Sequence, residues 1–236
     1  MNQPQDAARQ IRHARVAGFV YLLLIALFMS GQVIIIRAAG TGDFTQRLTH
    51  IVEDQTLYRI GLVLQLLASV FTVVLAYALY EVLRPVHEGM ARLALYFRLG
   101  EAFGGLTTFL SFAALSLQAS PHYLQSMGTT QLKAMIDLAH SANFASFNIT
   151  TLLFGFGSTL FFYLFTRTRY LPLALSAFGL FASAVALLTS IANLVLPAWA
   201  HVIGFGWIPV FVAEVVIGLW LLIRGVKVEP WLKAAA

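Results

Sequence analysis

The chain has 236 residues, of which 59% are hydrophobic and 11% charged, with a formal net charge of +5 and no cysteine. A soluble domain runs about 45–50% apolar and about 25% charged, so this balance excludes a disordered chain and a nucleic-acid-binding arm and argues against an ordinary water-soluble domain. The missing cysteine excludes disulfide frameworks, thiolate metal sites and cysteine nucleophiles, and the mean hydropathy of +0.81 points to lipid.

The apolar residues come in blocks of roughly 20, the length that spans a bilayer as a helix. They fall at about 16–36, 58–83, 92–118, 145–166, 172–194 and 204–224. Arg9, Arg12 and Arg15 precede the first block, as in a signal peptide. The block is longer than the roughly 7–15 residues of a signal h-region, so it is read as a retained anchor; Arg37-Ala38-Ala39-Gly40 keeps a cleavage reading open. Asp43–Gln55 then places Phe44, Leu48, Ile51 and Val52 on one face, which predicts a short interfacial helix. Pro85, Pro121 and Pro197 follow blocks they cannot continue, and Pro172 sits where a first-turn proline is tolerated. Thr130 is placed to cap a helix that starts at Gln131 and runs about 50 Å into the fourth block. No alternating strand pattern of a β-barrel is present, and no internal repeat relates the two halves.

Lysine and arginine set the orientation. One side holds Arg9, Arg12, Arg15, Arg84, Arg92, Arg167, Arg169, Arg224, Lys227 and Lys233; the other holds Arg37, Arg47, Arg59 and Lys133. Ten against four puts both termini in the cytoplasm and makes the number of spans even. Trp199, Trp207, Tyr58 and Tyr123 then mark the outer boundary, and Tyr80, Tyr163, Tyr170 and Trp231 the inner one. The predicted fold is therefore all-α and polytopic, with six transmembrane helices. A cytoplasmic segment 1–15 leads into a transmembrane domain 16–226, and a cytoplasmic tail 227–236 follows.

Arg98 and Glu101 on the third span and Glu214 on the sixth lie where lipid should not tolerate them. Counting 1.5 Å per residue from the flanking arginines puts Arg98 about 9 Å deep, Glu101 about 14 Å and Glu214 about 15 Å. Both carboxylates therefore sit near the middle of a core about 30 Å thick. Each charge costs roughly 2.5–3.5 kcal/mol there unless it meets another. Arg98 and Glu101 share a helix face. One arginine faces two carboxylates, so one of Glu101 and Glu214 is expected to hold a proton near neutral pH. Such a group could bind a cation, relay a proton or donate one. A structural salt bridge between the third and sixth helices is the competing reading, and Gly100 and Gly104 beside Glu101 suit plain packing.

A second polar layer comprises Gln32, Gln65, His140, Asn143, Asn148 and Asn193. Its members either line a vestibule narrowing toward Glu214 or hydrogen-bond between helices. Asp137 and His140, with His201, His50 and His122 in outer loops, are the nearest approach to a metal set, but they lack the helical spacing of a zinc site. No metal and no cofactor is expected; His140 alone does not make a haem site. Ser111, Ser141 and Ser158 have no adjacent base, and Asn148-Ile149-Thr150 is an accidental glycosylation sequon inside a span.

These residues also form a pattern. Arg15-Val16-Ala17-Gly18 and Tyr21 open the first span; Ala78-Leu79-Tyr80 and Arg84-Pro85-Val86 close the second. Phe97-Arg98-Leu99 and Glu101-Ala102 mark the third, and the stretch from His140 through Phe147-Asn148-Ile149 to Phe154-Gly155 the fourth. Tyr170-Leu171-Pro172 enters the fifth. Glu214, Trp220-Leu221-Leu222 and Arg224-Gly225-Val226 end the sixth. In this order the chain resembles the bacterial membrane proteins grouped as domain of unknown function 4386, from about residue 15 to 226. Arg169 stands where a glycine is expected. The resemblance implies six helices and a pattern shared by Arg98, Glu101, His140, Asn148 and Glu214, in the bacterial inner membrane; it implies no activity.

The leading expectation is a protein, surrounded by membrane lipids, that binds a small amphiphilic or cationic ligand with proton coupling. Its ligand residues would be Arg98, Glu101, Glu214, His140, Asn143 and Asn148. One alternative is a membrane enzyme acting on a lipid-like or isoprenoid substrate, with Glu101 or Glu214 as general acid. The other is a structural or assembly subunit whose charges only pack helices.

Overall fold

A computed structural model describes residues 3–105, 108–126 and 128–227; Trp231 and Lys233, counted above toward the inner boundary, lie outside the described residues. Helix α1 (Gln3–Ala39) runs straight through the boundary expected at residue 15, because Pro4 falls in the first turn, where proline is tolerated, and nothing in 5–15 breaks a helix. Gly40 and Gly42 take positive φ and turn the chain. Helix α2 (Phe44–Glu53) starts on a capping box: Asp43 Oδ1 accepts from the Gln46 amide at 2.9 Å, and Gln46 Oε1 accepts from the Asp43 amide at 3.0 Å. Its predicted apolar face is partly right. Ile51 is buried and Phe44 and Leu48 are half-buried, but Val52 is exposed.

Helix α3 (Gln55–Leu83) is the second block. The third block is described as α4 (Glu88–Gly104), followed by Gly105 in a 3₁₀ turn, and α5 (Thr108–Ala119); residues 106 and 107 between them lie outside the described residues. Short α6 (Pro121–Ser126) leads to α7 (Thr129–Thr168), which begins after Gly128 rather than on a Thr130 cap. Its 40 residues make a helix of about 60 Å. It ends on Arg169 at φ 56°, a left-handed residue. That conformation favours glycine. Helix α8 (Leu173–Val195) follows Pro172, and a 3₁₀ turn, α9 (Ala200–Ile203) and a second 3₁₀ turn at Gly204–Gly206 delay α10 (Trp207–Ile223).

The described residues contain helices and no strand. Five helical stretches are long and apolar enough to cross a membrane: Ala7–Ala39, Gln55–Leu83, Thr130–Thr168, Leu173–Val195 and Pro197–Ile223. These stretches are counted among the described residues, and the third block, with residues 106 and 107 outside them, is not one of the five.

The chain returns repeatedly to one end of the bundle. Gln10 Nε2 donates to the Val82 carbonyl at 3.0 Å and to the Tyr170 hydroxyl at 3.4 Å, and the Lys227 amide donates to the Tyr170 carbonyl at 3.0 Å. Residues early in α1 and near the ends of α3, α7 and α10 therefore meet there. Burial pushes the Tyr170 phenol above its ordinary range, and the Gln10 hydrogen bond works the other way. The main core gathers Tyr21, Leu79, Ala94, Phe161, Phe165 and Ile217, among others. A smaller cluster at the opposite end joins Ala38, Ile51, Tyr58, Leu62 and Leu115. Because α4 contributes to the first cluster and α5 to the second, the two halves together run the length of the bundle. Hydroxyls inside the long helices bond to their own backbone four residues earlier, as Thr72 does to Ala68 at 3.2 Å and Ser183 to Gly179 at 2.8 Å.

Candidate functional site

Arg98 projects from α4 into the bundle and is 1% exposed, the bulkiest side chain buried so completely. Its room comes from Gly157 on α7. A Cβ there would lie 2.8 Å from Arg98 Cγ and 3.1 Å from the Ala94 carbonyl. The same face of α7 supplies Phe154, whose ring centre is 4.8 Å from the guanidinium carbon, and Ser158, whose hydroxyl accepts from Nη1 at 3.4 Å. Cation–π contact of this kind contributes about 0.5–2 kcal/mol, which offsets only part of the cost of burying the charge.

The remaining compensation is Glu101, one turn along α4, with Oε2 2.8 Å from Arg98 Nη1. The contact is an ion pair out of line for a hydrogen bond. Among the described residues, Glu101 Oε2 and Arg98 Nε have no hydrogen-bond partner. Glu101 retains 17% side-chain exposure, and α4 ends three residues later.

Glu214 comes from α10, next to the buried Ala213 and half-buried itself. It has no ion pair within 4.0 Å among the described residues. It nevertheless lies within Coulomb range of Arg98 and of Glu101, and the buried Tyr21 of α1 feels all three. The three ionisable residues singled out from depth alone thus share one field. Gly100 and Gly104 meet Leu153 and Thr150 of α7, so that pair serves packing.

The second polar layer is mostly paired between helices. Gln65 Nε2 donates to Gln32 Oε1 at 2.8 Å, Asn193 Nδ2 to Asn148 Oδ1 at 3.0 Å, and Thr151 and Ser190 hydroxyls lie 2.7 Å apart. Asn148 also donates to the Phe144 carbonyl at 2.8 Å. Phe154 marks the level of Arg98 on α7. Asn148 is about 9 Å from it along the helix, Asn143 about 17 Å and His140 about 21 Å. His140 is exposed and Asn143 half-buried. The structure therefore pairs Arg98 with Glu101, leaves Glu214 without an ion pair within 4.0 Å among the described residues, sets Asn148 against α8, and leaves His140 and Asn143 toward the far end. Asp137 and His201 are exposed. Among the described residues no three His, Asp or Glu side chains gather closely enough to share a metal ion.

Sequence reading missed two features. Phe154, Gly157 and Ser158 were not linked to Arg98, although their three- and four-residue spacing puts them on one helix face. Glu81 was not singled out at all. It is buried, with 3% side-chain exposure, and holds Arg9 at 2.7 Å, Arg84 at 3.2 Å and His13 Nε2 at 3.9 Å. Only the helical extension of α1 brings Arg9 and His13 to it.

Residues 16–225 match the family model described as Domain of unknown function (DUF4386). No curated protein and no solved structure matches the chain. The match covers most of the chain, which therefore belongs to that family.

Proposed function

We propose that this family member is a six-span protein of the bacterial inner membrane that binds a small cationic amphiphile at Arg98, Glu101 and Glu214 and exchanges it for a proton. The observation that carries the reading is the charge balance. Arg98 is committed to Glu101 at 2.8 Å, while Glu214 shares their field without an ion pair among the described residues. A cation that reached Glu214 would complete the balance; in its absence a proton serves the same end. The span count is supported by α4 and α5 together running the length of the bundle. The excess of lysine and arginine at the end where the described termini meet supports cytoplasmic termini.

The test uses tetraphenylphosphonium as a lipophilic cation with the full chain in detergent micelles. Saturable binding is expected, weakened at least about tenfold in Glu214→Gln, as loss of one buried charge partner implies. Glu214→Asp keeps the charge and should keep binding, which separates lost charge from lost fold. Binding absent in the wild type, or unchanged in Glu214→Gln, overturns the proposal.

A further inference from the structure

A second site lies on the outer surface of α1, away from the charge cluster. Helices α1 and α10 touch at Gly18, where an added Cβ would meet the Leu222 amide nitrogen at 2.3 Å and the Gly218 carbonyl at 2.6 Å. Gly225, with φ +67°, turns the chain beside Ile11. Beside this contact lies an open groove of about 580 Å³ lined by Ile11, Val16, Phe19 and Leu222 together with Arg12 and Arg15.

Its chemistry is two-sided. Val16 and Phe19, at 38% and 56% exposure, begin the apolar block, so the upper wall stands at the level of acyl chains. Arg12 and Arg15 are three apart, so their guanidinium groups share one helix face. Neither has a carboxylate within 4.0 Å among the described residues, whereas Arg9 and Arg84 at the same end are held by Glu81. Two uncommitted guanidinium groups above an apolar floor match a phosphodiester carried on acyl chains. Arginine forks bind phosphate oxygens in pairs, and basic hollows between spans on the cytoplasmic side hold anionic headgroups. A free phosphate would leave the apolar wall unused.

We infer that the α1–α10 groove is a binding site for one anionic phospholipid, its phosphate on Arg12 and Arg15 and an acyl chain along Val16, Phe19 and Leu222. The site is separate from the proposed cation site and does not depend on it.

The experiment measures retention of phosphatidylglycerol against phosphatidylcholine by native mass spectrometry of the full chain, with melting temperatures in the same lipids. Arg12→Gln/Arg15→Gln is compared with Arg167→Gln/Arg169→Gln, which removes two exposed charges from the same end outside the groove. The wild type and the outside pair should prefer phosphatidylglycerol, and the groove pair should lose that preference by about tenfold or more. Arg12→Lys/Arg15→Lys should retain it, which covers failure of the glutamine pair to fold. Equal loss in both glutamine pairs means diffuse surface charge and overturns the site. So does no loss in the groove pair, or stabilisation by inorganic phosphate equal to that by the lipid.

Discussion

At the scale of single residues, Glu81 shows how burial depends on what arrives from elsewhere in the chain. An acid in the last turn of an apolar block normally faces water. Here the N-terminal turns of α1 cover it and bring Arg9 and His13. Glu81→Gln is expected to cost about 1–3 kcal/mol of unfolding free energy, the usual loss for a hydrogen bond to a charged group. The cost stays moderate because Arg9 and Arg84, at 47% and 39% side-chain exposure, can turn to water. Unfolding of the variant in mixed micelles checks this; a change under about 0.5 kcal/mol contradicts a structural role for the pairings. Nothing in the sequence flagged Glu81, because its partner Arg9 is 72 residues away. Arg169 was legible the other way round. The family resemblance alone expects a glycine there, and the structure gives Arg169 a left-handed φ, the conformation that favours glycine. Arg98 was found from its depth, but the space made by Gly157 is a tertiary fact.

At the scale of elements, apolar block length located every long helix, since about 20 apolar residues cannot be left in water. Helix ends were less legible. Helix α1 continues to Gln3 because polar residues before the block are also good helix formers. The third block read as one helix because its apolar residues run on past Arg98 and Glu101; the end of α4 at Gly104 was hidden behind a glycine pair that also suits packing. Whether α4 and α5 make one crossing is testable, since the chain has no native cysteine. Ser126 and Glu88 are both exposed, beyond α5 and at the start of α4. In intact cells, Ser126→Cys is expected to react with a membrane-impermeant maleimide and Glu88→Cys only after permeabilisation. Equal labelling of both means that the α4–α5 stretch re-enters on the same side and that the spans number five.

At the scale of the whole molecule, the fold is a bundle whose chain keeps returning to one basic end, and its interior holds one arginine with two carboxylates. Depth counting placed those three at neighbouring levels, and the pairing of Arg98 with Glu101 was legible from their three-residue spacing on one helix. The vestibule was less so. Gln32, Asn148 and Asn193 find partners on adjacent helices, and a sequence does not say which helices are adjacent. The central claim is that Glu214 belongs to the same electrostatic unit as Arg98. A double-mutant cycle tests it most directly, with unfolding free energies of Arg98→Gln, Glu214→Gln and the double variant measured against the wild type in mixed micelles. At alkaline pH, where Glu214 carries its charge, the account predicts a coupling of about 1–3 kcal/mol, with Arg98 mattering less once Glu214 is neutral; additivity within about 0.5 kcal/mol there contradicts it.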